Sequence, residues 1–154
     1  MRLIFTAVAA LLAPLPAAAQ TVSLPSVADH LPVTPAWYRL PAAGDTRTYI
    51  DLANIRSEGD VRIATNISLM LGDDADNPIR WVEAVMEYDC AARKGHFLEI
   101  KGYDKDRALV GRNGPDDAWR SAAPGTDAAN SIDFVCGQNR EASVQVADPW
   151  ADAP

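Results

Sequence analysis

Few side chains in this sequence are of the types that carry out chemistry, and each has to be weighed by what surrounds it. His96 is the one histidine in the part of the chain that reads as folded, since His30 lies in a proline-rich N-terminal stretch. Nucleophilic catalysis requires a base beside a nucleophile and a third group that orients the base. Nothing around His96 supplies that set, and the chain contains no GxSxG, no HExxH and no phosphate-cradling glycine loop. Glu87 and Asp89, in "EYD", put two carboxylates on one strand face, an arrangement that glycosidic chemistry uses. On an exposed strand of a small domain they read as solvated charges. "DDADN", residues 73–77, offers oxygen ligands for calcium, but Pro78 and the missing glycine break the calcium-loop pattern, so an acidic turn is expected. The two cysteines, Cys90 and Cys136, and the two histidines lack metal-ligand spacing. The expectation is a protein with no catalytic residues, no metal and no cofactor, hence not an enzyme.

The cysteines have a simpler use. The chain opens "MRLIFTAVAALLAPLPAAAQ", with a positive Arg2, an apolar stretch and the small residues Ala17, Ala18 and Ala19. This reads as a signal peptide over residues 1–19. Its apolar run is interrupted by Pro14 and Pro16 and falls short of the roughly 20 residues a membrane span needs. No cysteine near the cut could carry a lipid. The expected location is therefore periplasmic, secreted or on the outer surface, without a lipid anchor and without a transmembrane segment in the mature chain. In such an oxidising compartment Cys90 and Cys136 form a disulfide. Closing a loop of about 47 residues stabilises a fold by roughly 4 kcal/mol in the chain-entropy treatment.

Without Arg2, 13 basic residues face 21 acidic ones, a net charge of −8. That field disfavours nucleic acid and anionic lipid as general partners and suits a soluble surface.

The elements that must position these groups follow from periodicity. Residues 20–36, with three prolines and no sustained period, read as an extended leader. "WYRLP" and "TRTYID" are short β-prone runs, and "LANIRSEGD" reads as a tight turn or one helical turn. From Val61 to Leu71 the odd positions Val61, Ile63, Thr65, Ile67, Leu69 and Leu71 alternate with Arg62, Ala64, Asn66, Ser68 and Met70, the mark of a strand. Trp81–Cys90 is a second long strand, with Val82, Ala84, Met86, Tyr88 and Cys90 on one face. "AARKG" turns the chain back into a strand in which His96, Leu98 and Ile100 alternate with Phe97, Glu99 and Lys101. "YDKDRALVG" reads as one more. After "APGTD" the spacing of Ala128, Ala129, Ile132, Val135 and Cys136 becomes helical, with Thr126 or Asp127 to cap the start and Gly137 the end. Because Cys136 lies on the helix stripe, a bond to Cys90 sets the helix on the even-numbered face of the Trp81–Cys90 strand. By alternation His96 shares that face, as a structural histidine. The predicted architecture is α+β: an antiparallel meander of about five or six strands with a C-terminal helix packed on one face and tied by the disulfide. Residues 37–138 form the domain and 139–154 a polar tail, with an edge strand at Ser143–Val146 and with Trp150 either mobile or a packing anchor.

Two surfaces could recognise a partner. Six of the 13 basic residues, Arg93, Lys94, Lys101, Lys105, Arg107 and Arg112, fall within 20 positions. They read as a charge ladder opposite Glu87, Asp89, Glu99 and Asp104, or else as a patch that steers an acidic partner. If the helix covers the even face, Trp81, Val85 and Phe97 project from the other, as a homodimer or partner contact or beneath a second layer made by the leader or tail.

The order of landmarks carries a resemblance. Trp37, Tyr49 and Asp51 are followed by "EYDC" with Arg93 three residues on. Then come "YD" at Tyr103, "W…PGT" from Trp119 to Thr126, and "FVC" in the helix. Over about Ala36 to Gly137 this resembles the surface-adhesin protein E domain of Gram-negative bacteria. The resemblance implies an antiparallel sheet with a disulfide-tied C-terminal helix, adhesion to host matrix and serum proteins, and dimers. It supplies no catalytic motif, and only Cys90 and Cys136 carry over by position. The missing lipidation cysteine departs from surface-displayed members. The expected function is a non-enzymatic protein-binding module; the alternative is a periplasmic accessory or inhibitor protein acting on an envelope partner.

Overall fold

In the computed structural model, residues 33–72 and 76–152 are described, all within the unit that spans 32–154. The predicted signal peptide, most of the predicted leader and the first three residues of the acidic "DDADN" turn lie outside the described residues.

Among the described residues, nine strands, one α-helix and a short 3-10 turn (Arg140–Ala142) follow in the order β1 (Trp37–Arg39), β2 (Thr46–Asp51), β3 (Arg56–Glu58), β4 (Val61–Met70), β5 (Trp81–Asp89), β6 (Lys94–Tyr103), β7 (Leu109–Asn113), β8 (Arg120–Ser121), α1 (Asp127–Val135), the 3-10 turn and β9 (Val144–Val146). The spatial order is β7-β6-β5-β4-β2-β1-β9, with β3 added to β4 and β8 to β6, and each of these pairings is antiparallel. The α+β class, the meander and the helix stand as expected, but there are more strands than five or six. The additions are short and lack hydrophobic alternation. β3, expected as a turn or helical turn, is an exposed "RSE" that pairs with Val61–Ile63 across a tight turn in which Gly59 takes φ +63°. β8 is two residues opposite Lys94 and Gly95.

Thr126 caps α1, its Oγ1 accepting from the Ala129 amide at 3.2 Å. Gly137, at φ +85°, ends it, and the Gln138 amide donates to the Asp133 carbonyl at 2.7 Å. The buried stripe is Ala129, Ser131, Ile132, Phe134 and Val135, so Phe134 joins it while Ala128 remains exposed. Cys90 and Cys136 are disulfide-bonded, and α1 lies over the even face of β5 through Tyr88 and Met86, packed with Leu40, Ile50 and Ala64.

The opposite face is buried as well. Tyr49, Ile67, Leu69 and Trp81 form a second cluster, joined by Trp37, Tyr103, Val146 and Trp150. β4 explains the division: Ala64, Asn66 and Ser68 stand opposite Met86, Ala84 and Val82 on the helix side, and its larger apolar side chains Ile67 and Leu69 face the other way. The C-terminal segment supplies the cover there. Trp150 packs on Trp81 at 4.9 Å and edge-on to Tyr103 at 5.3 Å between ring centroids. Asp152 takes Arg39 at 2.7 Å and the Tyr49 hydroxyl at 3.1 Å.

Candidate functional site

Register decides where the sequence-predicted surface falls. β5 and β6 pair Val85 with Glu99 but Met86 with Phe97, a bulge that leaves Leu98 without a counterpart. Strict alternation therefore fails at this point. Phe97 lies on the helix side with Met86, and His96 lies opposite Glu87 on the other face, the reverse of the sequence expectation for both. Trp81 and Val85 do share a face, but Trp81 is only 4% exposed under Trp150. Trp81, Val85 and Phe97 are thus not brought together into one patch, and the tail forms the second layer.

The basic run is mostly held in pairs. Lys101 Nζ lies 3.0 Å from Glu83 and 3.3 Å from Glu99, and Arg112 lies 3.8 Å from Glu99. The hydrogen bond to Glu83 outweighs burial and raises the Lys101 ammonium above its ordinary value. Arg93 meets Asp133 at 2.6 Å. Lys105 meets Asp106 at 2.8 Å, while Lys94 is exposed at the first position of β6. Arg107 donates to the Trp150 carbonyl at 2.7 Å and stands over its ring. Glu83, Lys101, Glu99 and Arg112 thus form a cross-strand ladder on β5, β6 and β7, in which Glu99 is the one expected acid, while Lys105 and Arg107 are exposed in the β6–β7 turn.

His96 is clamped rather than free to act. Nε2 is 2.6 Å from the Glu87 carboxylate, Nδ1 is 2.9 Å from the Asp116 carbonyl, and the ring packs on Trp119 at 4.3 Å. Burial opposes its charging, yet the Glu87 carboxylate, the Asp116 carbonyl and the nearby Asp117 charge together raise it above the ordinary histidine value. With an acceptor at each nitrogen the doubly protonated ring fits, which suits a structural cation and not a general base. Among the described residues no group of three or more His, Cys, Asp or Glu could hold a metal ion.

β7 is an exposed edge of the sheet, as is β9 at the other end of the strand order, where Val144 is exposed. All five residues of β7 are exposed, with Leu109 53% and Val110 44% accessible. β7 ends the strand order, so among the described strands its outer side pairs with none. In the preceding turn the Asp104 carboxylate accepts from the Asp106 and Ala108 amides, each at 2.9 Å. The run "ALVG" announced a strand, but only the topology makes it an edge. The clue in the sequence was the flanking Lys105 and Arg107, charges of the kind that guard edges.

These features define a small antiparallel α+β domain whose accessible chemistry is a sheet edge with a basic rim. The family model of surface-adhesin protein E matches residues 37–137. The chain belongs to the surface-adhesin protein E family. No curated protein matches it, and no solved structure does. Among the described residues no helix is long and apolar enough to cross a membrane.

Proposed function

We propose that this chain is an exported, non-enzymatic module that binds a protein by taking an extended segment onto the β7 edge. The observation that carries the reading is the edge itself, five exposed residues with two large apolar side chains at its start. An added strand gains main-chain hydrogen bonds from the edge, and side-chain contacts give specificity. Leu109 and Val110 supply the apolar contact, and Lys105, Arg107 and Arg112 favour an acidic segment. Family membership supports an adhesive role, with host matrix or serum proteins as the partner class.

The test is surface-plasmon resonance of the mature, oxidised chain against a panel of matrix and serum proteins, comparing wild type with Leu109→Lys/Val110→Lys. Saturable binding that weakens at least about tenfold in the variant supports the reading, in the range set by losing a small apolar anchor. Binding unchanged in the variant, or no binding across the panel, refutes it. The same chain tagged in its own cells gives the compartment. Removal by external protease, or release to the medium, agrees with an outward-facing binder, whereas protection until the outer membrane is opened favours the periplasmic accessory alternative.

A further inference from the structure

The chain has six asparagines, and the fold restrains five of them. Asn66 is buried. Asn54 donates to Asp51 and to the Val33 carbonyl, Asn130 to the Pro41 carbonyl, and Asn139 to Asp133. Asn77 accepts from the Ile79 amide and precedes Pro78, which has no N–H. Asn113 carries no such restraint. It is the last residue of β7, opposite Ile100. Its side chain is exposed and makes no hydrogen bond among the described residues.

The residue that follows it is a glycine. Gly114 lies beyond the strand and is exposed, and its amide donates to no backbone carbonyl among the described residues. A side-chain amide and the next backbone nitrogen are the two reactants of succinimide formation, and here neither is held by another group. The five-membered ring closes only when the backbone at the asparagine leaves the extended state. At Asn113 that costs little, because strand ends fray and the outer side of β7 pairs with no described strand. Glycine at the next position gives the turning backbone its widest choice of conformations.

We propose that Asn113–Gly114 is a self-modification site of the folded protein. The Gly114 nitrogen attacks Asn113 Cγ, and the new C–N bond closes a cyclic imide. The Cγ–Nδ2 bond breaks, and ammonia leaves with the proton lost from the Gly114 amide. Water then opens the ring at either carbonyl. The product is aspartate at position 113 or its isoaspartyl isomer, in which the main chain runs through the side-chain carboxyl carbon. Water is the only co-reactant, and nothing is oxidised or reduced. Arg112 is the only charged residue of β7, so either product takes the strand from a net positive charge to neutral. The isomer also lengthens the main chain by one carbon where Asn113 faces Ile100. The β7 edge thus becomes less basic as the protein ages. The site stands without the binding role proposed for this edge; a weaker hold on an acidic partner rests on that role.

The experiment incubates the mature, oxidised chain in neutral buffer at physiological temperature, beside a sample unfolded in urea. Mass spectrometry follows the tryptic peptide from Asn113 to Arg120. In the folded sample two new forms with the mass of the acid are expected, resolved by chromatography as aspartyl and isoaspartyl. The other five asparagines should remain amides, and isoelectric focusing of the intact chain should show one added negative charge. A Cβ on Gly114 would meet nothing within 4 Å, so Gly114→Ala is accommodated. It should slow the conversion at least about threefold, the factor that matches glycine's greater conformational freedom. Conversion confined to the unfolded sample, faster conversion at any other asparagine, or an equal rate in folded Gly114→Ala would overturn the assignment. If that variant fails to fold, the comparison of folded with unfolded wild type decides.

Discussion

The docking of the C-terminal segment is the packing feature least visible in the composition, and Trp150→Ala tests it directly. Trp150 contacts Trp81 at 4.9 Å and Tyr103 at 5.3 Å, with the Arg107 guanidinium over its ring at 5.8 Å. Each aromatic pair contributes about 0.5–1.5 kcal/mol beyond area burial, and truncating a fully buried tryptophan costs about 3–5 kcal/mol. For a half-buried ring with two such partners we expect a loss of about 3 kcal/mol. In a domain of this size 1 kcal/mol moves Tm by about 4 °C, so the melt of the oxidised variant should fall by about 12 °C. Losing the anchor also frees the Asp152 contacts to Arg39 and Tyr49, which would add to the fall. The assay is calorimetry beside Trp119→Ala, whose ring is 39% exposed and packs on His96; that control should fall by roughly 4 °C. A shift in Trp150→Ala smaller than in the control would refute the argument and return the tail to a mobile appendage.

Two further outcomes follow from the covalent and ionic ties. Cys90→Ala/Cys136→Ala should lower the stability read from the urea midpoint by about 3–4 kcal/mol, because the open chain regains the entropy of a long loop; an unchanged midpoint contradicts this. His96 has a folded value above its unfolded one of about 6.5, so its contribution is complete below that pH and is lost as pH rises through the folded value. The stability gap between wild type and His96→Gln should therefore be largest near pH 6 and narrow towards pH 9, measured by thermal melts alongside an NMR titration of His96. A gap that widens with pH refutes the clamp.

Much of this architecture was legible before any coordinates. The period of two in β4 and β5, and the threefold and fourfold spacing around Ile132, are local properties that backbone geometry turns directly into strand and helix. The cap at Thr126 and the stop at Gly137 are likewise local, set by a hydroxyl that reaches an amide and by a residue that tolerates positive φ. Placing α1 over the even face of β5 required one long-range fact, the pairing of Cys90 with Cys136, and two cysteines allow only one intramolecular pairing.

What stayed hidden depends on register and neighbours. The extra residue at Leu98 turns His96 and Phe97 to the faces opposite those that alternation assigns, and no pattern within "KGHFLEIK" marks it, because the bulge is a relation between two strands. For the same reason β3 and β8 carry no apolar signature and exist through their partners. The exposed edge at Leu109 and Val110 and the covered Trp81 follow from which strand lies outermost and where the tail returns. The sequence by itself determined the long strands, the helix, the staple and the family, since these rest on local periodicity, one pairing and an ordered set of landmarks. Only the tertiary structure decided which side chains are exposed and which are buried, because that depends on contacts between residues far apart in the chain.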